Sequence, residues 1–475
     1  MRRRLATLPL IALLAGCVPG GIVPQQTEIA GNSIGLGNEP APAVADDWWI
    51  AFGDPRLDAL VKQGLSGNPD LGEALARLRA AKAGVEESTS ALYPHVDFNG
   101  QEQRDRFSDI YIIPPPYAGS DRWIGTIEGD LSWNIDFWGK QAAELDKSRS
   151  LQSAARLDAQ AARLAVTGAV VQAYIDLDRA YKLADIAALT VHDRQATLAL
   201  TDRRLHDGLD SKVEEQEALA RLAQAREARV LADSNRDIVV HELAALVGRG
   251  ADAYADIGRP VLMDDAALPL PSALPADLLG RRPDILASRA RVEAALAGRK
   301  AAKAAFYPDV DLLASAGWAA IGISPLFLTK SLQYGAGPAV HLPIFDAGRL
   351  RAEYAGATAD IDHAIADYNG VLAGSVRQTS DALTRIRSIE GRQAEHGRML
   401  DAANEAYRLA QTRYRTGLST QLTVLTAEDV LFDARQGGVS LAADGAIQRV
   451  TLLLAVGGGF HPETQPHEAA TGILP

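Results

Sequence analysis

Asn68-Pro69-Asp70-Leu71 returns as Arg282-Pro283-Asp284-Ile285, and Tyr93-Pro94-His95-Val96-Asp97 returns as Tyr307-Pro308-Asp309-Val310-Asp311. Between these signatures Ala76-Arg77, Ala80-Ala81 and Ala83-Gly84 match Ala290-Arg291, Ala294-Ala295 and Ala297-Gly298 at one constant spacing. Further on the spacing shortens slightly and then holds. Gly139-Lys140 pairs with Gly348-Arg349, Gly208-Leu209 with Gly417-Leu418, Ala225-Arg226 with Ala434-Arg435, and Val247-Gly248 with Val456-Gly457. Matches held in register over most of each half make the chain an internal duplication, so one supersecondary unit must be built twice.

Each half reads alike. A helix starts at Asn68-Pro69, a capping residue followed by proline at the first helical position, and ends before Tyr93-Pro94. A strand region follows, then a long helix from about Gln141 to Leu205, stopped at Gly208 as a C-terminal glycine stops one. Another helix spans about Ser211 to Val247. The second half predicts helices over Pro283 to Phe306, Leu350 to Arg415 and Thr420 to Ala455. Leu157, Leu164 and Val171 fall seven apart, and Ile361, Ile365, Tyr368 and Leu372 keep the same seam, as in a coiled coil. Helices of ~65 residues are ~100 Å long, and the two shorter helices of each half could stack end to end beside the long one. Such rods suit a tube or a spacer. Few aromatics and abundant alanine fit closely packed helices.

The strand region is informative for membranes. Trp123, Gly125, Ile127, Gly129, Leu131, Trp133, Ile135 and Phe137 alternate with Arg122, Thr126, Glu128, Asp130, Ser132, Asn134 and Asp136, and only Ile124 breaks the pattern. Period two with aromatics near both ends is the pattern of a transmembrane barrel strand; a half-buried sheet in a soluble domain is the alternative. Val310, Leu312, Ala314, Ala316 and Trp318 repeat the pattern more weakly, with Leu332, Tyr334, Ala336, Val340, Leu342 and Ile344 on a second strand. The segment Ser108 to Asp121, with Pro114-Pro115-Pro116, has the length of an external barrel loop. Two strands per repeat give four per chain. Four strands cannot close a barrel, and an open edge in lipid leaves backbone groups unpaired, so strands that span a membrane here require oligomerisation.

The only cysteine, Cys17, follows Arg2-Arg3-Arg4, a short apolar run from Leu5 to Leu14, and Ala15-Gly16. That is the layout of a secretory signal, and the run falls short of the ~20 residues of a membrane helix. Leu14-Ala15-Gly16-Cys17 looks like a bacterial lipobox, which implies cleavage before Cys17 and lipid on its sulfur and new N-terminus. Val18 in place of aspartate implies sorting to the outer membrane. The alternative is a chance cysteine in a soluble secreted protein. Loss of the leader's three arginines takes the net charge from −12 to −15, which argues against nucleic acid as a partner. One cysteine allows neither an internal disulfide nor a CxxC metal or redox motif.

Taken together, the two repeats resemble the outer membrane efflux protein family of TolC- and OprM-like channels, and the lipobox resembles its NodT-type lipoprotein branch. The residues that carry the resemblance are Trp48-Trp49, Phe52-Gly53-Asp54-Pro55, Asn68-Pro69-Asp70, Trp133 to Gly139, Arg281-Arg282-Pro283-Asp284, Phe306-Tyr307-Pro308, Pro343 to Arg349, and Tyr414-Arg415-Thr416-Gly417. The resemblance implies a mainly α fold with a transmembrane β-barrel portion. It further implies a homotrimer with a twelve-stranded barrel and a periplasmic tunnel of long coiled-coil helices. The expected partners are outer membrane lipid, a periplasmic adaptor (membrane fusion) protein and an inner-membrane transporter of the RND type; specificity for cargo lies largely with that pump. The expected organisation is a signal peptide over 1–16, a lipidated N-terminal periplasmic segment over 17–67 and the first repeat over 68–248. A linker follows over 249–281, then the second repeat over 282–457 and a mobile tail over 458–475.

The same resemblance places Arg204, Leu205, Gly208, Leu209, Arg413, Tyr414, Gly417 and Leu418 at the periplasmic tip that meets the adaptor. The two glycines have a second reading, as residues needed for positive φ at a helix end, and both can hold. Acidic residues that narrow the tunnel in relatives fall here at Thr423 and Thr426, with Glu428 and Asp429 about half a turn to one turn beyond. Either the ring has moved or the channel lacks an acidic constriction. Catalytic motifs are absent from the reading. Gly31-Asn32-Ser33-Ile34-Gly35 matches GxSxG but has neither strand before it nor helix after it. His241-Glu242 starts like HExxH, but Ala245 replaces the second histidine. No metal site and no cofactor is expected beyond covalent lipid at Cys17. Two other classes remain: a lipid-anchored periplasmic scaffold or adaptor without a pore, and a secreted lipoprotein enzyme.

Overall fold

The computed structural model describes residues 21–30, 34–36, 40, 42–110, 112–263, 268–271, 273, 275 and 277–461; Cys17, the leader, Gly31 to Ser33 and residues 462–475 lie outside them. The main elements run α1 (Pro55–Gly67), α2 (Pro69–Ser90), β1 (His95–Arg106), β2 (Asp121–Asn134), α3 (Lys140–His206) and α4 (Lys212–Leu246). They continue with α5 (Pro283–Ala304), β3 (Asp309–Ile321), β4 (Leu332–His341), α6 (Arg349–Arg415) and α7 (Gln421–Ala455). The halves match in length: α3 and α6 have 67 residues each, α4 and α7 have 35, α2 and α5 have 22. None of the described helices is long and apolar enough to cross a membrane.

Two differences from the sequence reading have local causes. The alternation extends through Ile135 and Phe137, yet β2 ends at Asn134. Asp136 turns the chain with φ 46, and its carboxylate accepts from the Gln141 and Ala142 amides at 2.8 Å each, capping α3. Trp138 then stacks on Tyr307 with ring centroids 4.7 Å apart and donates to the Pro308 carbonyl at 2.9 Å. The second difference is α1, a helix within the 17–67 N-terminal segment to which the sequence assigns no element. Asp54 caps it by accepting from the Arg56 amide at 2.9 Å, Pro55 opens it, and Gly53 bends the chain with φ 72.

The chain divides into two compact units: the described residues up to 28 with 77–155 and 287–369, and residues 29–76 with 156–286 and 370 onward. The first unit holds an antiparallel sheet in the order β1-β2-β3-β4. Ile127 lies opposite Gly100 and Trp318, and Ala316 opposite Tyr334, so period two places Phe98, Trp123, Ile127, Leu131, Trp318 and Tyr334 on one face. Asp97, Asn99, Glu128, Asp130, Asp311 and Gln333 share the other. From Trp123 to Trp133 the apolar face is ~25 Å tall for strands tilted ~40°. Among the described residues β1 and β4 are each paired on one side only. The N-terminal segment is fixed to helices of this unit. Arg299 donates to the Ile22 carbonyl at 2.8 Å, Asp362 accepts from the Gln25 and Gln26 amides at 2.7 and 2.8 Å, and Asn369 donates to the Thr27 carbonyl at 2.9 Å.

In the second unit Trp48, Trp49 and Phe52 pack with Leu57, Val61, Val170, Leu177, Leu243 and Leu453 in the largest buried cluster. Tyr174 donates to Asp54 at 2.6 Å and the Val261 amide does so at 2.8 Å. Burial alone would raise the Asp54 carboxyl, but these bonds and the Arg56 amide outweigh it and hold it below its ordinary value. Here the shorter helices do meet end to end. Asn68, the cap of α2, donates to the carbonyl of Leu246 at the end of α4 at 2.9 Å. At the equivalent place in the second repeat, Arg282 donates to the Ala455 carbonyl at 2.9 Å. The backbone makes the same junction twice, using different side chains.

Candidate functional site: the paired helix turns

The turns α3–α4 and α6–α7 are closed by the same backbone device. Gly208 N donates to Leu205 O at 3.0 Å and Leu209 N to Arg204 O at 2.8 Å; Gly417 N donates to Tyr414 O at 3.0 Å and Leu418 N to Arg413 O at 2.7 Å. This pair of bonds satisfies the last carbonyls of each helix and requires positive φ at the glycine, which is +72° at Gly208 and +76° at Gly417. A Cβ on either glycine would meet nothing within 4 Å, so within the chain φ is the only demand on them. The following leucines project outward, Leu209 65% and Leu418 70% exposed. Leu205 is partly buried and Arg413 is exposed.

Arg204 and Tyr414 play the opposite part, joining the two turns. Arg204 Nε and Nη2 reach the two oxygens of Asp210 at 2.9 and 3.2 Å, and its Nη1 donates to the Tyr414 carbonyl at 3.2 Å. Its guanidinium lies 4.5 Å from the Tyr414 ring centroid, and the Tyr414 hydroxyl donates to Asp210 at 2.5 Å. Asp210 is not among the residues the sequence singles out; its only signals there are its place two residues after Gly208 and the serine, Ser419, at the matching position of the second repeat. Beneath this cluster Gln421 donates to Thr201 at 2.6 Å, both fully buried.

Burial would raise the Asp210 carboxyl, but hydrogen bonds from Arg204 and Tyr414 outweigh it and hold it below the usual range. Its contribution is therefore present above the ordinary carboxylate pKa and is lost as pH falls through the depressed value. Burial, and then the bond to Asp210, pushes the Tyr414 hydroxyl up to about 12, so its contribution is lost as pH rises through that value. Asp210→Ala leaves the half-buried Arg204 without its bidentate partner and should destabilise the turns by about 2 kcal/mol. Hydrogen exchange at the ends of α3 and α6 checks this; unchanged protection would show that the cluster is dispensable.

The constriction candidates separate. Thr423 and Thr426 are solvent-exposed on one side of α7, whereas Glu428 is buried and 2.9 Å from Arg194. Asp429 is half-buried, 2.6 Å from Arg194 and 3.3 Å from Arg221. Neither acidic side chain stands free on the exposed side that carries the threonines.

The family model for outer membrane efflux protein matches residues 60–249 and 274–458, one segment for each repeat. The chain belongs to this family. It is 36% identical to the fusaric acid resistance protein FusA of Burkholderia cepacia over 369 residues, 75% of this chain and 69% of that one. It is 28% identical to the multidrug resistance outer membrane protein MdtQ of Escherichia coli O157:H7 over 470 residues, 96% of this chain and 98% of that protein. The crystal structure of the outer membrane protein VceC from Vibrio cholerae superposes with a TM-score of 0.82 at 29% identity, covering 88% of this chain and all of that one. The protein is thus an outer membrane efflux channel, mainly α-helical with a β-barrel portion.

Proposed function

We propose that three copies of this chain close their sheets into one twelve-stranded barrel and serve as a passive exit duct. In this reading the duct has no catalysis of its own, and a periplasmic adaptor and an RND-type inner-membrane transporter feed it. The unpaired edges of β1 and β4 carry the proposal. In lipid each needs a partner strand, and a neighbouring copy of the same sheet supplies one on each side. The outward-facing Leu209 and Leu418 are the adaptor's apolar footholds. The exposed Thr423 and Thr426 make the narrow end polar and uncharged, since Glu428 and Asp429 are engaged with arginines. The names of relatives, fusaric acid resistance and multidrug resistance, support small organic compounds as cargo.

Lipidation of Cys17 anchors each copy to the inner leaflet. The bonds that fix Ile22 to Thr27 against the helices support this, because the five residues back to Cys17 can reach at most ~18 Å when extended. Native mass spectrometry of the detergent-extracted protein tests both parts. The expected species is a trimer carrying three acylated N-termini. A monomer released without detergent overturns the duct and makes a soluble helical scaffold the leading reading.

A further inference from the structure

Behind the exposed threonines of α7 lies a buried ionic cluster that the duct does not explain. Glu428 and Arg194 are each about 95% covered, with side-chain exposures of 5%. Arg194 Nη1 sits 2.9 Å from Glu428 Oε2, but outside hydrogen-bonding geometry, so no protein group donates a well-formed bond to either Glu428 oxygen. Arg194 spends its good bond on Asp429 instead, at 2.6 Å. One guanidinium on α3 is thus shared by two successive carboxylates on α7. The surroundings come from all four helices. α3 adds His192 and Asp193, α4 adds Arg221 on Asp429 at 3.3 Å, α6 adds Tyr407, and α7 adds Arg435, 4.0 Å from Asp193.

We propose that Glu428 is a proton-operated latch: protonated, it holds α7 packed against α3 next to the helix turns, and ionised, it favours release of that packing. The physical reason is desolvation. A neutral carboxyl tolerates this site, whereas a carboxylate there lacks hydrogen bonds and must share its counter-ion. Burial, with Arg194 opposing and Asp193 and Asp429 adding to it, pushes the Glu428 carboxyl up to about 7. The packed state therefore holds this proton more tightly than an open one. Its stabilisation is complete below the ordinary carboxylate range and fades as pH rises through about 7.

Hydrogen exchange of the full-length protein in detergent, corrected for intrinsic rates, tests this at pH 6 and pH 8. Protection over the α7 segment 424–435 should be about tenfold lower at pH 8 than at pH 6 and level off above that, and Glu428→Gln should keep its pH 6 protection at pH 8. Arg194→Met, which removes the opposing charge, should move the wild-type transition to higher pH. Equal wild-type protection at both pH values overturns the latch, as does a glutamine variant that follows the wild type. Because the readout is local packing, it is independent of whether the trimer conducts.

Discussion

Replacing Gly317 by valine should remove the folded channel from the outer membrane, while Gly129→Ala in the neighbouring strand should leave it there. Both glycines lie inside the sheet. A Cβ at Gly317 would fall 2.1 Å from the carbonyl oxygen of Ile127 and 2.6 Å from the Glu128 Cα, whereas at Gly129 the nearest atoms are 3.9 Å away. The obstacle at Gly317 is backbone, which cannot turn aside as a side chain can, so β2 and β3 must separate or bend. Overpacking costs about 1–3 kcal/mol and occasionally more, and here the loss falls on the strand pair that joins the two repeats. Immunoblots of outer membrane fractions should show at least a tenfold drop for Gly317→Val. Normal abundance would show that the β2–β3 contact can relax.

A second large effect is expected where the helices of each repeat meet end to end. Gly248 and Gly457 have φ of +75° and +101°, and a Cβ would lie 2.1 Å from the carbonyl oxygens of Gly67 and Arg281 respectively. Alanine at either position meets left-handed strain of about 1–2 kcal/mol together with a backbone collision. The tip glycines separate these terms, because Gly208→Ala and Gly417→Ala add the strain without the collision. Thermal unfolding of the detergent-solubilised protein should place Gly248→Ala and Gly457→Ala well below the tip variants. Equal losses at all four would mean that φ alone governs, and that the junctions have room to shift.

The contrast between those glycine pairs shows what was legible in the sequence. Both pairs recur at the same spacing, and each glycine follows a helix that the sequence predicts. Only the structure shows that one pair is pressed against backbone while the other faces open space. Likewise Asn68 reads as a cap, and it is one, but its amide also reaches Leu246, and Arg282 does the equivalent work for Ala455. Glu428 and Asp429 are both constriction candidates along the chain because both fall near the expected ring. Their separation into a buried and a half-buried site depends on how α7 is rotated against α3.

By itself, the sequence determined the duplication, the six helices of the two repeats, the strand number and the two-sided character of the sheet. Each follows from local rules: a repeat spacing, a period of two or near 3.6, a cap, a glycine or proline at a helix end. It also carried a conditional: if the four strands span a membrane, their two open edges call for more than one copy. The tertiary structure decided which side chains meet, joining Arg204 to Asp210 and Tyr414, and Arg194 to Glu428 and Asp429. Partners on separate helices are set by rotation and offset between long rods with repetitive, alanine-rich surfaces. Such surfaces allow several registers of similar local quality, and only the summed packing of all four helices selects one.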